Sequence, residues 1–368
     1  MSIDTNVEYK DKTGFNGFFN KVRGKKIALI FDFNTKNFAF EMREKLSEIN
    51  AFPTDIFFDD KDLVPTSNKR DWAVDKARGC DYVLAVGSGS INDMTKSVAT
   101  ILGIPCGVFA TAASMDGYCS KGAALMYGGE KRTDVVKSPE DVLIDSVIIK
   151  NAPKIMTAAG FGDIIGKYTC LTDWKLSNII NGEPINKEAY ELMKKALSAC
   201  VSDFDALSRY DGEAVVKLMD ALITAGISMA ICGNSRPASG SEHHQSHFIE
   251  MDFVRRGERI PMHGLKVAIG TLVSLEIYNY IKNSGIEIPE RESVYKIIDE
   301  LPKIGTVKNM LEKMGCPTRY SALGVRKETI EEMIEKAYTV RDRYTVLTLM
   351  HELGITQKIK PIIMAKYF

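Results

Sequence analysis

The chain has 368 residues, with 48 lysines and arginines against 48 aspartates and glutamates, so its formal net charge is zero. No basic excess is offered to nucleic acid or an anionic membrane, and any anionic ligand must be held by local groups. A hydrophobic content of 45% can fill the cores of one large domain or, better, two.

Up to about residue 150, β-branched runs alternate with amphipathic stretches. Before the first run, Asp4, Glu8 and Asp11 leave no apolar signal core. Lys26 to Phe31 reads as a buried strand, Phe38 to Ile49 as a helix and Thr54 to Phe58 as a second strand. Asp81 to Val86 and Pro105 to Ala110 are a third and a fourth. Continuous apolar strands separated by helices imply a parallel sheet covered on both faces. Ala123 to Met126, Thr133 to Val136 and Val142 to Ile144 read as further strands in a small antiparallel addition.

The third strand runs into Gly87-Ser88-Gly89-Ser90-Ile91-Asn92-Asp93-Met94-Thr95-Lys96. Glycines let the backbone turn tightly and approach a ligand, and the following helix offers free N–H groups that suit a pyrophosphate. The spacing is neither Gly-x-Gly-x-x-Gly nor a Walker loop. Ser90 with Asp93 also fits a capping box, a purely structural use of that aspartate. After the fourth strand, Thr111-Ala112-Ala113-Ser114-Met115-Asp116-Gly117-Tyr118-Cys119-Ser120 places small hydroxyls and a carboxylate at the sheet's C-terminal edge, where open α/β sheets bind ligands. An ordinary polar turn is the competing reading.

From Pro153 onward helical periodicity dominates. Ala189, Leu192, Met193, Ala196, Leu197 and Cys200 share one face, and Glu328 to Leu353 also reads as helical. No run reaches membrane-spanning length. Seven scattered cysteines, without a Cys-x-x-Cys pair, fit reduced thiols in a cytoplasmic enzyme. The expectation is a 1–150 α/β domain and a 151–368 helical domain, tightly coupled, with a cleft between them.

Four of the five histidines lie in Ser239-Gly240-Ser241-Glu242-His243-His244-Gln245-Ser246-His247 and in Met262-His263-Gly264. His243 and His247, four apart, share a helix face, whereas His244 points elsewhere and reads as structural. Two imidazoles from facing helices can supply half of a coordination shell, and Asp163 in Gly-Phe-Gly-Asp is the candidate carboxylate. Such an open site accepts Zn²⁺, Ni²⁺ or Fe²⁺. The competing reading is a set of caps and core histidines. Arg236, just ahead of the metal helix, is the candidate clamp for a substrate phosphate, with Lys121, Lys167 and Lys266 as competitors.

These motifs, in this order, resemble the superfamily of iron-containing alcohol dehydrogenase, glycerol dehydrogenase and dehydroquinate synthase. Within it the chain is similar to the sn-glycerol-1-phosphate dehydrogenases, including the bacterial AraM-type members. The particulars are Gly162 to Thr169 with Asp173-Trp174-Lys175, Ser239 to His243, and Arg341-Asp342-Arg343-Tyr344-Thr345. The resemblance implies a dehydroquinate synthase-like fold, with a Rossmann-like α/β dinucleotide-binding domain followed by an all-α metal-binding domain. It implies that Asp163, His243 and His263 bind one divalent metal. Gly87, Ser88, Gly89, Ser90 and Asp93 would cradle the pyrophosphate of NAD or NADP, with Thr111 and Ser114 near the adenine or ribose. Asp116 and Ser120 would line the nicotinamide and substrate end, and His247 would face the substrate as a proton relay or phosphate contact.

The implied reaction interconverts dihydroxyacetone phosphate and sn-glycerol 1-phosphate. The alternatives are a dehydrogenase of glycerol or another small polyol, and a sugar-phosphate cyclase like dehydroquinate synthase. The cyclases typically carry Glu at the Asp163 position and Asn where Gly240 stands. Asp32, near the end of the first strand, favours NAD by repelling a 2′-phosphate. A small phosphorylated triose is the expected partner, with no nucleic acid or membrane, and a homo-oligomer is the expected assembly.

Overall fold

The computed structural model describes residues 5–12 and 14–368, so Asp4 lies outside it. The first part of the chain runs β1 (Asn6–Tyr9), α1 (Asn16–Val22), β2 (Lys26–Asp32), α2 (Lys36–Glu48), β3 (Phe52–Phe58), α3 (Ser67–Ala77), β4 (Tyr82–Gly87), α4 (Gly89–Leu102), β5 (Cys106–Ala110), β6 (Gly122–Tyr127), β7 (Glu130–Val135) and β8 (Asp141–Ile144). Six strands form one parallel sheet in the order β1-β8-β5-β4-β2-β3.

Alternation along the strands divides the core. Ile27, Leu29, Phe31, Leu84, Val86 and Leu143 face one side and pack with Phe15 and Phe18 of the N-terminal segment and Met42 and Leu46 of α2. Ala28, Ile30, Val83, Ala85, Val108 and Val142 face the other, in one hydrophobic cluster that continues into the helical half. This is the double-sided burial that apolar parallel strands require.

Two expectations need correction. Only β6 and β7 pair antiparallel; β8 enters the parallel sheet between β5 and β1, because its four buried residues have no solvent face to expose. β1 was not foreseen: four edge residues, two exposed and two half-buried, carry too little periodicity to register.

The remainder is helical: α5 (Ser146–Asn151), α6 (Lys154–Ile165), α7 (Lys167–Asn181), α8 (Lys187–Ser202), α9 (Phe204–Ser208), α10 (Gly212–Cys232), α11 (Ser241–Arg256), α12 (His263–Asn283), α13 (Arg291–Asp299), α14 (Ile304–Lys313), α15 (Lys327–Lys336), α16 (Val346–Glu352) and α17 (Thr356–Tyr367). The expected helical stretch from Glu328 to Leu353 is broken by a 3₁₀ turn at Ala337–Thr339 and an irregular run that ends where Thr345 caps α16. Among the described residues one helix is both long and apolar enough to cross a membrane: α10 has 21 residues and a mean hydropathy of 1.8 over its most apolar window, with 61% of that window buried against the rest of the fold. Its apolarity is that of a core helix packed on α8.

Helices α6, α11 and α12 meet more closely than side chains normally allow. A Cβ on Gly264 of α12 would lie 1.8 Å from the Ala159 carbonyl oxygen of α6, and a Cβ on Gly162 would lie 2.4 Å from the Gly264 carbonyl oxygen. Neither position can accept a methyl without parting the helices. Gly264→Ala is therefore expected to lower unfolding free energy by about 3 kcal/mol, the upper end for overpacking. Gly305→Ala, in α14 with open space around it, should be neutral or stabilising by up to about 1 kcal/mol. Chemical denaturation of both variants checks this, and a stable Gly264→Ala protein would refute the close-contact reading.

Candidate metal and dinucleotide site

The chain order of the sheet reverses between β2 and β4. The crevice at this switch point, at the strands' C-terminal ends, is where such sheets receive ligands. A cleft of about 1300 Å³ opens there and extends to the helical half. Its wall includes Asp32, Ser88, Gly89, Ser90, Asp93, Thr111, Asp116 and Ser120 from the first part of the chain, and His243, His247, Glu250, His263 and Arg341 from the second.

β4 passes into α4 through Ser88. The first intrahelical bond is Asn92 N–H to Ser88 C=O at 2.9 Å, which leaves the N–H groups of Gly89, Ser90 and Ile91 without a helical acceptor at the cleft. A Cβ on Gly89 would meet only Met115 Cγ at 3.8 Å, so the glycine there keeps space open toward the ligand rather than relieving a clash. Gly87 stands behind: its Cβ would strike Ile91, and it does not line the cleft.

The capping box of Ser90 with Asp93 does not form, since α4 begins at Gly89 and has no side-chain cap. Asp93 instead pairs with buried Lys96 at 3.0 Å and accepts from Ala124 N at 3.1 Å, tying the β6–β7 hairpin to α4. Lys96 also donates to the Gly117 carbonyl at 3.0 Å and to Ser120 Oγ at 3.3 Å. The charged residues of this motif therefore build the wall, and the turn's backbone faces the ligand. Thr111 and Ser120 line the cleft; Ser114 does not.

Asp163 on α6, His243 on α11 and His263 at the start of α12 bring one ligand atom each to within 4.8 Å of the others. His243 Nε2 lies 3.6 Å from Asp163 Oδ1. Further hydrogen bonds orient the set. Glu242 Oε1 takes His243 Nδ1 at 2.8 Å, leaving Nε2 for the site, and Glu250 Oε1 takes His263 Nδ1 at 3.0 Å. Asp163 Oδ2 accepts the Asp116 N–H at 3.0 Å, and Oδ1 accepts Lys167 Nζ at 3.0 Å. Burial opposes ionisation of Asp163, but Lys167 and the two imidazoles overcome it and hold its carboxyl far below the usual range. Burial pushes the His263 imidazole down, toward the neutral form a metal requires. One carboxylate, two imidazoles and back-up carboxylates on the rear nitrogens fit an open divalent-metal site.

Around this centre the expected residues divide. The Asp116 carboxylate reaches the cleft but is engaged by Lys167. His247 is one turn beyond His243, with Nδ1 3.2 Å from Glu250 Oε2 and Nε2 3.2 Å from Arg341 NH2. A guanidinium can only donate, so Nε2 must accept and Nδ1 must carry the proton. Burial holds the ring well below its ordinary titration range, so it stands neutral and orients Arg341, a geometry at odds with a proton donor at Nε2. His244 points away from the cleft; its ring is buried with neither nitrogen hydrogen-bonded, and its pKa is pushed down to about 3.

Arg236, the expected phosphate clamp, does not line the cleft. It is 2% exposed and off the cleft, holding Glu183 through Nε at 3.0 Å and NH2 at 2.9 Å, and it also donates to the carbonyls of Asp173 and Tyr344. Its position in sequence beside the metal helix misleads, because the loop turns it inward. Lys167 and Lys266 are also buried and partnered. Lys121, the third competitor, does line the cleft, and so does Arg341, bonded to Ser235 Oγ at 3.0 Å and to His247, with no carboxylate hydrogen-bonded to it among the described residues. Its sequence signal was the Arg341-Asp342-Arg343 run, which gives no hint of which arginine faces the ligand. Asp173 fixes that run: it accepts from Ser241 N at 2.7 Å, Val346 N at 2.8 Å and Tyr278 Oη at 2.6 Å.

Two outcomes are expected. His263→Ala should abolish metal retention through desalting while the far-ultraviolet circular dichroism stays native, and elemental analysis showing full occupancy would displace the metal from this site. Gly89→Val should remove dinucleotide binding with little change in melting temperature, and calorimetry giving wild-type affinity for NADH and NADPH would place the pyrophosphate elsewhere.

The family model for iron-containing alcohol dehydrogenase matches residues 12–153. A glycerol-1-phosphate dehydrogenase using NAD(P)+ from Bacillus velezensis is 36% identical over 283 residues, 76% of this chain and 72% of that one. Its counterpart from Bacillus licheniformis is 31% identical over 92% of this chain and 86% of the relative. The crystal structure of an iron-containing alcohol dehydrogenase from Thermococcus thioreducens superposes with a TM-score of 0.74 over 100% of this chain and 99% of that one, at 18% identity, a likeness of fold. The parallel sheet and the helical half are thus arranged as in iron-containing alcohol dehydrogenases, and by its similarity to the Bacillus enzymes the chain belongs to the glycerol-1-phosphate dehydrogenase family.

Proposed function

We propose that the protein is a metal-dependent, NAD(P)-linked dehydrogenase that interconverts dihydroxyacetone phosphate and sn-glycerol 1-phosphate. The observation that carries this reading is one cleft with the β4–α4 turn on one wall, His243 and His263 on the other with buried Asp163 within ligand reach of them, and Arg341 beside them. The name shared by the curated relatives supports it.

In this reading residues 1–150 hold the dinucleotide, and residues 151–368 supply the metal ligands and the substrate contacts. The N–H groups at the start of α4 receive the pyrophosphate, where donors and helix dipole favour an anion. Thr111 and Ser120 line the path toward the nicotinamide end. Asp32 lies at the ribose end, with its Oδ1 taken by Asn34 N–H at 2.9 Å and Thr35 N–H at 3.1 Å, and its negative charge supports a preference for NAD. Asp163, His243 and His263 would hold a divalent ion that would supply Lewis acidity for a carbonyl substrate, and the dinucleotide on the facing wall would supply the hydride. Lys167 bridges Asp163 and Asp116, holding the carboxylate ligand and the 111–117 loop in one orientation. His247 holds Arg341 toward the cleft.

A half-buried guanidinium without a carboxylate hydrogen bond supports a phosphorylated substrate, because a phosphate gives it the anion it lacks. The balanced charge and seven free cysteines support a cytoplasmic setting without nucleic-acid or membrane partners, and homo-oligomeric assembly belongs to the same reading.

The test is kinetic. Loss of a charge-assisted buried contact costs about 1.5–3 kcal/mol, so Arg341→Ala should lower kcat/KM for dihydroxyacetone phosphate by roughly ten- to a hundredfold. Any activity on dihydroxyacetone should be spared. Arg236→Ala should instead destabilise the fold and depress both activities together. A wild-type preference for unphosphorylated triose would overturn the assignment, and equal losses in Arg341→Ala would remove that residue from the phosphate site.

A further inference from the structure

One carboxylate beneath the cleft serves more partners than any ligand does. Glu250 on α11 is 2% exposed and lies two turns beyond His243 on the same helix. Its Oε1 accepts from His263 Nδ1 at 3.0 Å, with Lys266 Nζ at 3.3 Å. Its Oε2 accepts from His247 Nδ1 at 3.2 Å and from Lys131 Nζ, which reaches over from β7. The four donors come from three elements, α11, α12 and the hairpin, and a single side chain holds them.

We propose that Glu250 is the positioning residue of the site, fixing both His247 and His263 as Nδ1–H tautomers, so that their Nε2 lone pairs point to Arg341 and to the metal set respectively. The inference rests on the metal-site reading above.

The argument is one of acceptors and donors. An ionised carboxylate only accepts, so each imidazole that meets it must present N–H. For His247 the result is reached independently from its other side, where Arg341 can only donate. His263 has Ser246 Oγ as its other neighbour, at 3.4 Å from the same Nδ1, so nothing but Glu250 decides which nitrogen is free. A glutamine of the same shape cannot do this work. It has one accepting oxygen and one donating NH₂, so it can receive one imidazole N–H and must meet the other ring with a donor. Lys131 and Lys266 supply the cationic surroundings that keep the carboxylate ionised without taking either imidazole's place.

The chain has only five histidines, so tautomers can be read directly by nitrogen NMR of histidine-labelled, metal-free protein. Wild type should show His247 and His263 as Nδ1–H. In Glu250→Gln one of them should convert to Nε2–H, and affinity for Zn²⁺, measured by chelator competition, should fall by roughly ten- to a hundredfold, as for other supports of a metal-bound imidazole. Removing the anion leaves Lys266 buried beside a neutral partner, which threatens the fold. The double variant Glu250→Gln with Lys266→Met removes that cation, and the same tautomer change and affinity loss are expected in it. Unchanged tautomers and wild-type Zn²⁺ affinity in a folded variant would overturn the proposal. If wild type and His263→Ala bind Zn²⁺ equally, the metal-site reading itself fails, and the two failures are told apart before any substrate is added.

Discussion

The site depends on a backbone contact. Helices α6 and α12 touch at Gly162 and Gly264 with no side chain between them, and a methyl at either position would enter the facing carbonyl oxygen. The same closeness recurs where Gly160 meets the Ala113 carbonyl, and where Gly270 meets the backbone of Glu242. Through these contacts α6, α11, α12 and the loop after β5 lie within one residue's reach of each other. Asp163, His243, His263 and Asp116 can meet only because their backbones do. The side chains involved are short or rigid, so no rotamer change would make up for a separation of a few ångströms.

Closeness brings charge into the interior, and the protein balances it locally. Glu242, Glu250, Asp163, Lys167 and Lys266 are all buried within a few residues of the ligands, although the chain as a whole is neutral. Burying so many charges is tolerable only where each is paired and hydrogen-bonded, and nearly all are. Arg341 and Arg343 are exceptions, the first held by a serine hydroxyl and a neutral imidazole and the second by a carbonyl and the same hydroxyl, and of the two only Arg341 lines the cleft. An unmatched cation at the edge of an otherwise balanced cluster is where an anionic substrate group gains most.

The dinucleotide wall follows a different rule. Its free donors are backbone groups at the start of α4, whereas the motif's charged residues, Asp93 and Lys96, pair with each other and brace the 117–124 segment. The motif's charged side chains thus serve as framework, and the N–H groups of Gly89, Ser90 and Ile91 are left free of helical acceptors at the cleft. The arrangement suits a ligand that must enter and leave, since the cradle holds its shape without relying on the ligand to pair its charges.

The sequence by itself determined what local periodicity and residue chemistry can express. Unbroken apolar runs such as Tyr82 to Val86 specify a doubly buried parallel sheet, glycine after such a strand specifies an open helix N-terminus, and His243 with His247 specify one face of a helix. Four edge residues with no buried face could not announce β1, and Val142 to Ile144 carried no sign of which sheet they would join. Only the tertiary structure decided which charged groups face the cleft. Arg236 and Arg341 are chemically identical; the fold pairs the first with Glu183 and, among the described residues, leaves the second without a carboxylate hydrogen bond. Glu250 reads in sequence as one more helical glutamate, and becomes the shared acceptor of two imidazoles because α12 returns beside α11. Whether a charge is spent on a neighbour or kept for a ligand depends on long-range packing, and sequence spacing carries no record of it.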